Sequence, residues 1–478
     1  MAVDNKALPF QKHVEHKAGS GVMCPALIVA APHSGSGKTT VTAAIARYHR
    51  DQGRKVTVFK VGPDFIDPMI LRQASGELVY QLDLWLVGEE GCQALLHRAA
   101  MESDLILIEG VMGLFDGTPS SADLAEYFNI PVLGVIDAKA MAQTFAAVTY
   151  GLATFRKNLP FAGVIANRVN TDRHVELIST CLPEEFRFFG RIPKDDVITL
   201  PARHLGLVLA QELSDIDTQL DKAASHIGNT GLADLPAEVE FFSVASQSDK
   251  DVITKQALAG TRIIIIKDNA FSFIYAANIS FLEQAGAELV YCSAIADAHL
   301  PEGDILYIPG GYPELYAEQL MNNVSFISDV RDFAASNKPI VAECGGMLYL
   351  LDQLTDMSGK DFSMLGLVPG KAVMQKKLAA IGSQWVDLPV FAEGIADSSD
   401  NNILDDSTSA NNRMRGHSFH YSSADVELVP RYQTTHHPSE RAGEFVYQHN
   451  NILASYMHWY LPSNPTLSLR IFDKTRYL

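Results

Sequence analysis

A two-domain α/β protein, each domain a largely parallel sheet covered by helices, is predicted from three features of the sequence. Strand-length apolar runs alternate with segments of helical pattern along most of the chain. These runs are continuously apolar rather than alternating, as expected of strands buried on both faces. A polar, aperiodic stretch divides the runs into two series, and 478 residues exceed what one hydrophobic core ordinarily serves.

In the first series the strands are PALIVAA (25–31), KVTVFK (55–60), DLILIEG (104–110), PVLGVID (131–137) and FAGVIAN (161–167). The second comprises TRIIIIKD (261–268), ELVYCSA (288–294), DILYIPGG (304–311) and KPIVAECGG (338–346). Residues 1–24 are mixed in charge, lack the apolar centre of a secretory signal and are expected to form a flexible tail. The first domain is assigned to 25–225, a linker to 226–258 and the second domain to 259–478. AEGIADSSDNNILDDSTSANNRMR (392–415) is too polar to bury much and is expected as a solvated insertion.

The loop APHSGSGKTT (31–40) follows the first strand and opens a helix, the setting a phosphate-binding loop requires. Gly35, Ser36 and Gly37 would bring backbone N–H groups onto phosphate oxygens, Lys38 would bridge terminal phosphates, and Thr39, followed by Thr40, would meet a magnesium ion at the helix start. Pro32 stands where the usual first glycine falls. ATP and Mg2+ are therefore the expected cofactors. IEGVMGLFDG (108–117) ends a strand in Glu109, which could hold the metal or cap the following helix. Asp64 and Asp67 share the loop KVGPDFIDP (60–68), as a metal-binding or nucleophile-positioning pair or as an ordinary acidic turn. Asn167, in ANRV (166–169), could meet a nucleotide base or simply end its strand.

VAECGG (341–346) reads as strand, sharp turn and helix, an elbow that thrusts Cys344 out above a sheet. The helix start is expected to ease ionisation of the thiol. The Gly345 amide and that of Gly311 in IPGGYPE (308–314) would form an oxyanion hole. The base expected is His458 in SYMHWY (455–460), with His417, His420, His436 and His437 as competitors. Cys24, Cys92, Cys181 and Cys292 lack the elbow and read as small buried hydrophobes. The five cysteines are scattered with no C-x-x-C pair, which argues against a disulfide framework or zinc site.

Taken in order, GSGKTT, KVGPDFIDP, IEGVMGLFDG, IPGGYPE, AECGGM, RGHSFHYS and SYMHWY resemble the cobyrinate (or hydrogenobyrinate) a,c-diamide synthase family over nearly everything after residue 24. The resemblance implies a P-loop domain similar to dethiobiotin synthetase, followed by a class I glutamine amidotransferase-like α/β domain. It implies an ATP- and glutamine-dependent ligase acting on a tetrapyrrole, with Cys344 as glutaminase nucleophile, His458 as its base, and Asp64, Asp67 and Glu109 in the synthetase site. The acid usual in the broader class two residues after the histidine is Tyr460 here, so a Cys–His dyad is expected, its orienting group unidentified. Cobyric acid synthase, Ni-sirohydrochlorin a,c-diamide synthase and a P-loop regulatory ATPase with an inactive glutaminase-like domain stand as alternatives. A net charge of −18 disfavours nucleic acid as a partner, and no run approaches the roughly 20 apolar residues of a membrane span. A cytoplasmic location is expected, with a homodimer left open.

Overall fold

The computed structural model describes residues 21–198, 215–244, 256–389 and 412–477. The chain divides into two compact units, residues 1–246 and 247–478.

The first unit contains strands β1 (Gly21–Ala30), β2 (Val56–Lys60), β3 (Tyr80–Gln81), β4 (Leu105–Glu109), β5 (Val132–Asp137), β6 (Phe161–Asn167), β7 (Phe188–Ile192) and β8 (Glu238–Phe242). Seven run parallel in the order β3-β2-β4-β1-β5-β6-β7, and β8 pairs antiparallel with the start of β1. The continuous apolarity of the central strands has the expected cause. Every residue of β4 is buried, with Ile106 and Ile108 packing in one core beside Leu96 and Ala125, and Leu105 and Leu107 in another beside Val41 and Ile45. Helix α1 (Lys38–Asp51) covers the second face, and the helices Glu89–Glu102 and Ser121–Phe128 cover the first. Because the strands are parallel, the segments after β1, β2, β4 and β6 emerge at one edge of the sheet, where ligand sites of such folds lie.

The second unit begins with β9 (Arg262–Ile266), β10 (Glu288–Cys292), β11 (Ile305–Ile308) and β12 (Ile340–Glu343). Then follow β13 (Gln353–Thr355), β14 (Asp361–Ser363), β15 (Gly370–Met374), β16 (Ala380–Asp387), β17 (Arg413–His420) and β18 (Ser422–Val426). The last are β19 (Tyr432–His436), β20 (Ala442–His449), β21 (Ile452–Ser455) and β22 (His458–Trp459). One sheet has the order β10-β9-β11-β12-β21-β20-β19-β16-β17-β22, parallel from β10 to β21 and antiparallel beyond. A smaller sheet has the order β14-β13-β15-β18.

Four expectations need correction. Gly21 to Cys24 are not tail but the opening of β1, held by β8 from Val22↔Phe241 to Cys24↔Val239. The stretch expected as linker supplies that β8, while helix Ile216–Ile227 crosses the boundary placed at 225. Of the expected insertion, 392–411 lie outside the described residues, and Arg413 to Arg415 are ladder-bonded strand opposite Asp387 to Trp385. Cys181 is exposed just past the helix Asp172–Ser179, whereas Cys24, Cys92 and Cys292 are buried.

Candidate active sites

In the first unit the loop between β1 and α1 turns on Gly35 (φ 83°) and Gly37 (φ 95°), both in the left-handed region that favours glycine. A side chain at Gly37 is also excluded by Asn167, whose Nδ2 would lie 2.2 Å from its Cβ. Asn167, at the end of β6, donates from Nδ2 to Ser36 O at 2.8 Å, and its neighbour Arg168 donates to Gly35 O at 3.2 Å. Asn167 thus braces the loop through its side chain. Buried Lys38 donates from Nζ to Met112 O at 2.6 Å, and Thr39 Oγ1 donates to Glu109 Oε1 at 2.7 Å; Thr40 follows in the first turn of α1.

The register Lys60↔Glu109 sets the ends of β2 and β4 side by side. Lys60, which the sequence reading passed over, becomes the cation of an acidic cluster. Its Nζ lies 2.6 Å from Asp67 Oδ2, 3.2 Å from Glu109 Oε1 and 3.7 Å from Asp64 Oδ2. Burial opposes its charge, but the three carboxylates more than compensate and hold the ammonium charged. Burial and the neighbouring Asp67 charge push Glu109 up to about 7, and burial with Asp67 pushes Asp64 up to about 7. Burial also disfavours the Asp67 carboxylate, yet Lys60 outweighs it and keeps that group below its usual value. Asp64 Oδ1 accepts from Ile66 N and Asp67 N at the start of helix α2 (Ile66–Ser75), so one of its oxygens is committed to the turn.

The residues fit a magnesium ion. Glu109 Oε2 is buried with no hydrogen-bond partner, beside the Thr39 hydroxyl. Among the described residues no group of three or more His, Cys, Asp or Glu forms a ready metal cage. Mg2+ does not need one, since it takes one or two protein oxygens and completes its shell with phosphate and water.

In the second unit β12 ends in Glu343, and Cys344 adopts φ 45°, ψ −109°, a sparsely populated conformation for a residue with a side chain. The turn is pinned by Cys344 N donating to Ser455 O at 2.7 Å, and the helix Gly345–Leu350 follows. Two glycine pairs make the elbow possible. A Cβ on Gly345 would lie 2.9 Å from Gly311 N, and one on Gly346 would lie 2.2 Å from Ile308 O. Gly310 receives the His458 ring so closely that a Cβ there would fall 2.1 Å from Cε1. The elbow and His458 therefore abut the same Gly310–Gly311 segment, with the Gly311 and Gly345 backbones adjacent as an oxyanion hole needs.

The thiol is not eased toward ionisation as expected. Burial pushes Cys344 well above its usual range; the Gly345 amide pulls the other way, while Glu314, Glu444 and Glu343 add to the rise. The six-residue helix does not overcome desolvation, which makes a base necessary. His458 suits that part. Burial, with His417 and His420 nearby, holds it far below its usual value and hence neutral. His417 stacks on it at 4.9 Å and shares a 2.6 Å hydrogen bond through Nδ1 with Tyr275 OH. His420 is bound through Nε2 to Glu444 and through Nδ1 to Ser422 O. His436 and His437 lie at the end of β19, beside Gln384 and Ser383. Tyr460, at the position of the usual acid, packs edge-on against Tyr275. Glu343, the residue before Cys344, lies instead against His458, a placement the sequence reading did not identify.

Residues 262–466 match a family model described as a CobB/CobQ-like glutamine amidotransferase domain, and residues 27–208 match the CobQ/CobB/MinD/ParA nucleotide binding domain. Hydrogenobyrinate a,c-diamide synthase of Pseudomonas aeruginosa is 49% identical over 453 residues, 95% of this chain and 98% of that protein. The chain belongs to the cobyrinate and hydrogenobyrinate a,c-diamide synthase family. A relative of that name from Stutzerimonas stutzeri is 50% identical over 92% of this chain and 97% of its own length. Cobyrinate a,c-diamide synthase of Herminiimonas arsenicoxydans is 42% identical over 94% and 96%. As an a,c-diamide synthase the protein is a glutamine-dependent amidotransferase ligase with a nucleotide-binding first domain, and among the described residues no helix is long and apolar enough to cross a membrane.

Proposed function

We propose that the enzyme amidates the a and c side-chain carboxylates of cobyrinate or of its cobalt-free counterpart hydrogenobyrinate, with ATP and Mg2+ bound in the first unit and glutamine hydrolysed in the second. One observation carries this reading: at the C-terminal edge of its parallel strands, each unit gathers the side chains that one half-reaction needs. No disulfide joins any of the five cysteines, all of them among the described residues, in keeping with action in the reducing, ATP-containing cytoplasm.

A carboxylate does not react with ammonia at neutral pH, because its oxygen leaves poorly and its charge repels nucleophiles. Transfer of the ATP γ-phosphoryl group to a carboxylate oxygen removes both obstacles. Ammonia then adds to the acyl carbon, the carbon–oxygen bond breaks and phosphate departs, leaving the amide. Lys38 at the head of α1 offsets charge on the transferred group, and the loop amides around Gly35 to Gly37 orient its oxygens. Thr39 and Glu109 would hold Mg2+, which when bound neutralises phosphate charge. In the second unit His458 takes the Cys344 proton, the thiolate adds to the glutamine amide carbon, and the Gly311 and Gly345 amides receive the oxyanion. The imidazolium returns its proton to the departing ammonia, and water hydrolyses the thioester.

Mass spectrometry of products formed from each tetrapyrrole with ATP, Mg2+ and glutamine tests the reading. Two amidations of cobyrinate or hydrogenobyrinate are expected; turnover of neither, with conversion of a different tetrapyrrole, would overturn it. Offering both macrocycles also decides between the two substrate names its relatives carry.

Glu109→Gln is expected to slow ammonia-dependent amidation on the order of a hundredfold, the scale of losing one preorganised electrostatic contact, here to the Mg2+ that would neutralise developing phosphate charge. Asp64→Asn and Asp67→Asn should act in the same direction, and glutamine hydrolysis should be spared in all three. Wild-type amidation rates throughout would make these acids structural.

A further inference from the structure

Glu343 lies buried at the end of β12, directly before the nucleophile. Its two oxygens are used differently. Oε1 accepts from Tyr307 OH at 2.8 Å and from Trp459 N at 3.3 Å. Oε2 faces His458 Nδ1 at 3.8 Å. A carboxyl group held at one oxygen by a β11 side chain and a β22 backbone amide has its other oxygen fixed in direction, here toward the ring of the proposed base. The pairing follows from the sheet. The register Glu343↔Ser455 between β12 and β21 sets the chain so that the turn after Ser455 brings His458 back beside the end of β12.

We propose that Glu343 is the positioning residue of the glutaminase: it keeps the His458 proton on Nδ1, leaving Nε2 free for the Cys344 proton, and balances the imidazolium formed. The proposal rests on the assignment of Cys344 and His458 above. In the step concerned, the S–H bond breaks, an N–H bond forms at Nε2, and the new positive charge is shared across Nδ1–H to the carboxylate. A neutral amide in place of Glu343 could still accept from Tyr307 and Trp459, but its NH2 would donate to Nδ1 and drive the ring proton to Nε2, the wrong tautomer for a base.

The geometry carries a pH signature. Burial pushes Glu343 up to about 8, with the Tyr307 hydroxyl and Trp459 amide pulling it down. The titratable groups around the pair are Tyr307 on β11, Cys344, and His417 and His420 on β17, with Tyr275 behind His417. Only the carboxylate form of Glu343 favours Nδ1–H. Glutamine hydrolysis should therefore rise with pH as Glu343 loses its proton and level off above.

The test measures kcat, KM and pH profile for glutamine hydrolysis by the full-length enzyme, with ammonia-dependent amidation alongside. Glu343→Gln, which preserves shape, should lower kcat for glutamine by about a hundredfold or more and abolish the rising limb, with KM and ammonia-dependent amidation unchanged. Tyr307→Phe removes a donor to the carboxylate, so its limb should move to higher pH, and it decides the matter should Glu343→Gln disturb the fold. A Glu343→Gln enzyme that hydrolyses glutamine at the wild-type rate with the wild-type profile overturns the proposal, as does an unmoved limb in Tyr307→Phe. Cys344→Ala, measured in parallel, keeps the two readings apart. Glutamine hydrolysis surviving in that variant removes the glutaminase assignment itself, whatever Glu343→Gln does.

Discussion

Replacing Lys38 by alanine is expected to lower diamide formation by about a thousandfold, whether nitrogen comes from glutamine or from added ammonium. Both routes need the activated carboxyl group, and Lys38 is the cation that the first turn of α1 presents beside the phosphate loop. Its buried ammonium is already aimed by a hydrogen bond to Met112 O, so a flexible surface lysine could not replace it. Burial, with Lys60 close by, holds its pKa below the ordinary lysine value, and a phosphate would raise it again on binding. Glutamine hydrolysis should persist, because the glutamine amidotransferase domain spans residues 262–466, in the second unit. Ammonia-dependent amidation at the normal rate in Lys38→Ala protein would remove this residue from the mechanism.

Cys344→Ala is expected to abolish glutamine-dependent amidation, by about a thousandfold or more, while amidation from ammonium at alkaline pH stays near wild type. His458→Ala should divide the two activities in the same way. The elbow adds a stability signature. Cys344 sits at φ 45°, a conformation costing about 1–3 kcal/mol for a residue with a side chain. Alanine inherits that cost, whereas Cys344→Gly should be equally inactive but more stable to denaturant by about 1 kcal/mol. Equal loss with both nitrogen sources in well-folded Cys344→Ala protein would give the thiol a part in synthesis itself. Lower stability of Cys344→Gly would show that the elbow is not strained.

Nine of the parallel strands were legible because burial on both faces demands unbroken apolar runs, as in LILIE of β4 and RIIII of β9, whereas β3, β7 and β21 were not among the runs read. The antiparallel strands were not. EVEFF of β8 alternates exposed and buried residues, and RMRGHSFH of β17 is rich in residues that elsewhere mark loops. Local sequence motifs located Lys38, Thr39, Glu109 and Cys344, since a turn between strand and helix is encoded by neighbours in sequence. Lys60 and Glu343 escaped because their chemistry depends on side chains from other strands. A lysine ending a strand reads as a solvated end until three carboxylates converge on it, and Glu343 reads as part of the elbow until the strand register turns it toward His458. Two residues after His458, where the broader class carries its acid, Tyr460 fills a packing role.

The bond from Cys344 N to Ser455 O has a consequence for the order in which the protein is made. Translation delivers the thiol long before the strand that fixes its turn and the histidine proposed to take its proton. The first unit has all its described strands once Phe242 is made, so it can fold while the second is still emerging. The second must wait for β21 to pair with β12, a long-range parallel pairing of the kind that forms slowly. A growing chain therefore carries a nucleotide-binding fold without a working glutaminase. A chain broken off before His458 would lack the residue proposed to take the thiol's proton and should release no ammonia from glutamine.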